Sequence, residues 1–141
     1  MKLKRVSWYL VEFPRLEWRF GQGERGCADL VTLNLFTDSD WAGCPKTRKS
    51  TSGGVIVLDG VALEHWSSTQ TSVALSSGEA EYTALVKAAA EGLGVQALAA
   101  DLGWSLRIVV HTGSATAKSI ASRSGIGKIG HLEAKTHWVQ R

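Results

Sequence analysis

The chain has 141 residues with 44% apolar and 21% charged content, which suits one globular domain with a core of its own. No apolar run reaches the 18 or more residues of a membrane span, and two cysteines, Cys27 and Cys44, are too few for a disulfide framework or a four-ligand zinc site. The net charge of +3 is unevenly spread: residues 1–26 carry +3, 27–49 balance, 50–117 carry −4 and 118–141 carry +4. An acidic middle between basic ends fits a metal–carboxylate centre beside phosphate-binding surfaces, and equally an uneven solvated surface.

In chain order, residues 2–13 read as a short basic amphipathic helix ended by Pro14. The start is basic and then apolar, but Glu12 breaks the run, so it is not read as a signal peptide. "RLEWRF" (15–20) alternates as a strand does, and "GQGERG" (21–26) is a loop. "LVTLNLFT" (30–37) reads as a strand that runs into Asp38 and Asp40. "GCPKTRKSTSGG" (43–54) reads as a basic loop. "VIVLDGVALEHW" (55–66) is a hairpin, since Asp59-Gly60 is a dipeptide preferred in tight two-residue turns.

Residues 76–103 read as a long helix capped by Ser76 or Ser77, with acids in its first turns where the helix dipole favours them. Tyr82, Leu85, Val86, Ala89 and Leu93 form its apolar stripe, and Gly92 with Gly94 marks a kink or an early end. "LRIVVHT" (106–112) is a β-branched strand. "SATAKSIASRSG" (114–125) is a short helix. Residues 126–141 read as a glycine-rich loop, a short strand near Ile129–Leu132 and the first turns of a last helix. The expected fold is α/β, a mixed sheet with helices packed on it.

The acids stand at the ends of these elements. Asp38 closes the first central strand, Glu79 and Glu81 begin the long helix, and Glu133 begins the last one. Two residues apart on a helix means about 200° around it, so only one of Glu79 and Glu81 faces the sheet. Glu81 leads into the apolar run and is the choice. Taken alone, Asp38 reads either as a turn residue or as an oxygen ligand for magnesium or manganese. Likewise Glu81 and Glu133 read either as dipole-favoured helix acids or as ligands.

"TDSDWAG", "RKSTSGG", "LSSGEAEYTAL" and "GHLEAKTHWVQ" occur in order, and together they resemble the ribonuclease H domain of copia-type LTR-retrotransposon Pol polyproteins. The resemblance divides the chain into a connection that follows a reverse transcriptase-like domain (1–26) and a ribonuclease H-like domain (27–141) cut short in its last helix. It implies a ribonuclease H-like fold, an RNA–DNA hybrid as nucleic-acid partner, a reverse transcriptase domain in cis and cleavage of the RNA strand with two divalent ions, Mg2+ or Mn2+. A reducing intracellular setting, cytoplasmic or nuclear, goes with it, and no membrane.

Carried onto this chain, the resemblance makes Asp38, Glu81 and Glu133 catalytic metal ligands and gives His131 an assisting position. At Gly113, where the family places a further aspartate, this chain reads "HTGSATAK". Glycine has no side chain to offer a metal, so the site is expected to be impaired. Lys46, Arg48, Lys49 and Ser50 are the candidate nucleic-acid contacts. The alternatives are a module that grips hybrid without cutting it and a structural remnant.

Overall fold

The computed structural model describes residues 2–12, Pro14 and 31–123. Its elements are α1 (Lys2–Glu12), β1 (Val31–Asp40), β2 (Thr51–Leu58), β3 (Val61–Thr69), α2 (Ser77–Asp101), β4 (Leu106–Thr112) and α3 (Ala115–Ala121). The expected strands at 15–20 and 129–132 and the last helix lie outside the described residues.

Among the described residues, four strands form one mixed sheet in the order β3-β2-β1-β4. β1 runs antiparallel to β2 and parallel to β4, and β2 pairs antiparallel with β3. The α/β architecture expected from the pattern of elements is present. The β2–β3 hairpin turns at Asp59 and Gly60, both at positive φ (50° and 79°), as a tight two-residue turn of the mirror-image type requires. A register shift between Ile56 and Val57 accommodates an irregularity in the ladder.

The core lies between the sheet and α2. Leu33, Leu35, Ile56, Ala88, Ala99 and Leu106 are buried together, while Tyr82, Leu85, Ala117 and Ile120 form a second cluster under α3. α2 is one continuous helix of 25 residues, so neither Gly92 nor Gly94 ends it. A Cβ at Gly92 would lie 2.4 Å from Leu35 Cδ2; the glycine is what lets the helix sit this close to β1. The stripe therefore follows Gly92 toward Ala99, and Leu93, expected inside, is 45% exposed.

The loop after β1 is shorter than expected. Thr51, Ser52, Gly53 and Gly54 belong to β2. A Cβ on Gly54 would meet the Trp66 ring at 2.2 Å, so the indole of the neighbouring strand occupies the space that glycine leaves. Lys87 lies over the same ring, 5.9 Å from its centroid, and donates to Ser68 Oγ at 2.8 Å. Among the described residues, no helix is long and apolar enough to cross a membrane.

Candidate metal centre

α2 begins with two hydrogen bonds at its cap. Ser76 Oγ accepts from the Glu79 backbone N–H at 3.2 Å, and the Glu79 carboxylate accepts from Leu75 N at 2.7 Å. This is a variant of the capping box, reaching one residue further back than the usual form. Glu79 is 9% exposed and its carboxylate serves the cap. Glu81, on the other side of the helix, is half-buried over the end of β1.

Asp38 is exposed, and its neighbours Thr37 and Ser39 alternate with it toward the interior. Strict alternation sets Asp38 away from the face that α2 covers. The approach is made at the strand end: the Glu81 carboxyl accepts from the Ser39 backbone N–H and shares a hydrogen bond with the Asp38 carboxyl. Burial pushes the Glu81 acid above its usual range. The Asp38 charge and the shared hydrogen bond push it further, and the Ser39 N–H pulls part of the way back. Without a cation, Glu81 therefore keeps its proton to higher pH than an ordinary carboxylate.

Glu81 Oε2 is buried and has no hydrogen-bond partner among the described residues. A buried acceptor without a donor, beside a second carboxylate, is a site a hard divalent cation fits, with waters completing its shell. Asp38 and Glu81 are the residues that would hold it. Among the described residues, no third acid, histidine or cysteine joins them in a ligand cluster.

Gly113 follows the last paired residue of β4, where Thr112 lies opposite Thr37. It therefore sits beside Asp38, one step on. A Cβ built there meets nothing within 4 Å. Glu133 and His131 lie outside the described residues. The basic loop leaves β1 after Asp40 and returns at Thr51, so Lys46, Arg48 and Lys49 share this end of the sheet. Lys46 and Arg48 are exposed and Lys49 half-buried.

Ser50 departs from the expectation of a phosphate contact. It is fully buried, and its Oγ accepts from the Ala42 N–H at 3.0 Å to close the loop. Asp40, adjacent to the site in sequence, is also structural: its carboxylate accepts from Thr51 N, and a Cβ on Gly43 would strike it. Trp41 Nε1 donates to Ala74 O at 3.1 Å, tying the loop after β1 to the approach of α2.

One residue near the pair had no sequence signal. Gln70, just past β3, is 5% exposed; its Nε2 donates to Ser52 Oγ at 2.9 Å and to Ala80 O at 2.8 Å. Both partners are distant in the chain, and an amide between a strand and a helix cap is too common to single out.

No protein-family model and no solved structure matches the chain. Three curated proteins show what it is similar to. The chain is 41% identical over 91 residues to "Secreted RxLR effector protein 161" of Plasmopara viticola, covering 64% of this chain and 61% of that protein. It is 31% identical over 110 residues to "Retrovirus-related Pol polyprotein from transposon TNT 1-94" of Nicotiana tabacum, covering 77% of this chain and 8% of the polyprotein. Against "Retrovirus-related Pol polyprotein from transposon RE1" of Arabidopsis thaliana it is 30% identical over 101 residues, or 72% of this chain and 6% of the polyprotein. The chain is thus related to a short stretch of retrotransposon Pol polyproteins.

Proposed function

We propose that this chain is a ribonuclease H-like domain that grips RNA–DNA hybrid and holds a divalent cation, Mg2+ or Mn2+, between Asp38 and Glu81. The observation that carries the reading is the carboxyl–carboxyl contact. Two acids from separate elements, a strand and a helix, meet at one end of a mixed sheet, and one keeps a buried oxygen with no donor among the described residues. The relatedness to Pol polyproteins supports the nucleic-acid context and a reverse transcriptase domain in cis.

A divalent ion at such a site supplies an activated water and stabilisation of the leaving oxygen in phosphodiester cleavage. The chain's own residues have narrower tasks. Asp38 and Glu81 provide negative oxygens, and the Ser39 N–H orients the Glu81 carboxylate. Lys46, Arg48 and Lys49 face phosphates across the same end. Glu133 is the third carboxylate of the reading and His131 its assisting neighbour. Gly113 contributes no carboxylate, so cleavage is weak, because losing even an outer partner of a metal site costs about 10–100-fold.

The test is cleavage of an end-labelled RNA–DNA hybrid with Mg2+ or Mn2+, beside binding of the same hybrid in EDTA. Cleavage that is slow and abolished by Asp38→Asn supports the nuclease reading. Hybrid binding with no cleavage under either metal supports the second reading, a binding module, which the missing carboxylate at position 113 favours. Neither binding nor cleavage refutes both.

A further inference from the structure

We infer that Gln70 is the positioning residue for Glu81, holding the helix turn that carries this acid against β1 and β2. The inference rests on the proposed reading of Asp38 and Glu81 as cation ligands and adds a residue to it.

The geometry is a closed circuit. The Ala80 carbonyl belongs to the peptide plane that joins Ala80 to Glu81, so it is rigidly tied to the Glu81 backbone. A carbonyl only accepts, so the group 2.8 Å from it must be the amide NH2 of Gln70, which fixes which way the carboxamide points. The second proton of that NH2 goes to Ser52 Oγ. Ser52 lies opposite Ser39 in the β1–β2 ladder, and the Ser39 N–H donates to the Glu81 carboxyl. Gln70, Ala80–Glu81, Ser39 and Ser52 thus link α2, β1 and β2 in one ring. Gln70 holds the Glu81 backbone, and Ser39 holds its carboxyl.

Two further facts make the ring more than a packing detail. Gln70 is anchored on its own side, since its backbone N–H donates to Ser50 O at 2.8 Å, so the amide is presented from a fixed point. Among the described residues, three buried polar atoms around the ring, Ser39 Oγ, Gln70 Oε1 and Glu81 Oε2, have no partner. A buried polar network is held in register by the hydrogen bonds it does make. Removing the Gln70 amide strips the donor from both Ala80 O and Ser52 Oγ and frees the helix turn to shift. A ligand held about an ångström out of place costs much of its affinity.

The experiment uses the whole chain in four forms: unmodified, Gln70→Met, Ser52→Ala and Ile56→Val. Methionine keeps the length of the side chain and removes both donors. Ser52→Ala removes one anchor and guards against a Gln70→Met that fails to fold. Ile56→Val trims the core outside the ring as a stability control. Mn2+ affinity is measured by the fall of the free-ion electron paramagnetic resonance signal, and the Glu81 Hα–Hβ couplings by NMR without metal. Gln70→Met should bind Mn2+ about 10–100-fold more weakly, with Ser52→Ala weaker to a lesser degree. Both should change the Glu81 couplings from single-rotamer to averaged values, while Ile56→Val leaves both readouts as they are. Unchanged couplings in Gln70→Met, or in Ser52→Ala should the first not fold, overturn the inference. So does an Mn2+ affinity no lower than that of Ile56→Val. If the unmodified chain binds no Mn2+, or binds it regardless of Asp38→Asn, the cation reading is what fails, and the couplings alone then decide the role of Gln70.

Discussion

Gly113→Asp places a further carboxylate beside Asp38, and its consequences follow from the ladder. Thr112 pairs with Thr37 across the parallel β1–β4 rungs, so position 113 adjoins position 38. Neighbouring strands lie about 4.8 Å apart, which puts the two carboxylates roughly 6 Å from each other. Space is no obstacle, since a Cβ there meets nothing within 4 Å. Two unit charges at that separation repel by about 3 kcal/mol at an effective dielectric of 20 and about 0.7 in water. Both positions are exposed, so about 1 kcal/mol is the reasonable figure, a fall of about 4 °C in Tm for a chain of this size.

A divalent cation reverses the sign. One more negative oxygen should tighten binding by about 10–100-fold, worth about 1.4–2.7 kcal/mol. The assay is thermal unfolding in EDTA and in saturating Mg2+, with Gly113→Asn as the uncharged control for the loss of glycine flexibility. Relative to that control, Gly113→Asp should melt lower in EDTA and gain more from Mg2+, and both differences should vanish with Asp38→Asn. Equal melting of Gly113→Asp and Gly113→Asn in both buffers would refute the placement of residue 113 at the site.

Three further outcomes are expected. The folded state holds the Glu81 acid above its ordinary range, so the unfolded chain loses this proton first and metal-free stability falls as pH rises from the ordinary carboxylate range through the raised value of Glu81. Glu81→Gln should flatten that fall and stabilise the metal-free protein at neutral pH, as urea melts across this range in EDTA would show. Gly43→Ala drives a methyl into the Asp40 carboxylate and should cost about 1–3 kcal/mol, and combined with Asp40→Ala the loss should be less than the sum. Hybrid affinity should fall steeply with salt, and replacing Lys46 or Arg48 by Gln should lower the log–log slope by about one each; slopes unchanged in both variants would remove the loop from the interface.

What was legible in the sequence was local. Asp59-Gly60 specifies a two-residue turn because both residues tolerate positive φ. "LRIVVHT" declares a strand by β-branching, and Ser76 announces the start of α2. The departures all have remote causes. Gly53 and Gly54 look like loop until Trp66 covers the second of them. Gly92 looks like a helix breaker until Leu35 is seen to need the room. Ser50 looks like a phosphate contact until the loop closes over it. For the candidate site, choosing Glu81 over Glu79 rests on its place at the head of the apolar run, and the structure assigns Glu79 to the cap. Strand alternation alone would have separated Asp38 from Glu81. Their contact depends on how far α2 overhangs the end of β1, which no local pattern encodes.

The parallel pairing of β1 with β4 has a kinetic consequence. Asn34 and His111, which meet side by side across it, are 77 residues apart in the chain. The antiparallel meander of β1, β2 and β3 closes only short loops and can form early, whereas β4 is placed only after α2 has crossed over the sheet. Asp38 belongs to the early part and Glu81 to the crossover. The two acids therefore come together late, so a collapsed intermediate holding only the meander carries Asp38 without its partner. Divalent cations should accordingly slow unfolding of the finished fold more than they speed its formation.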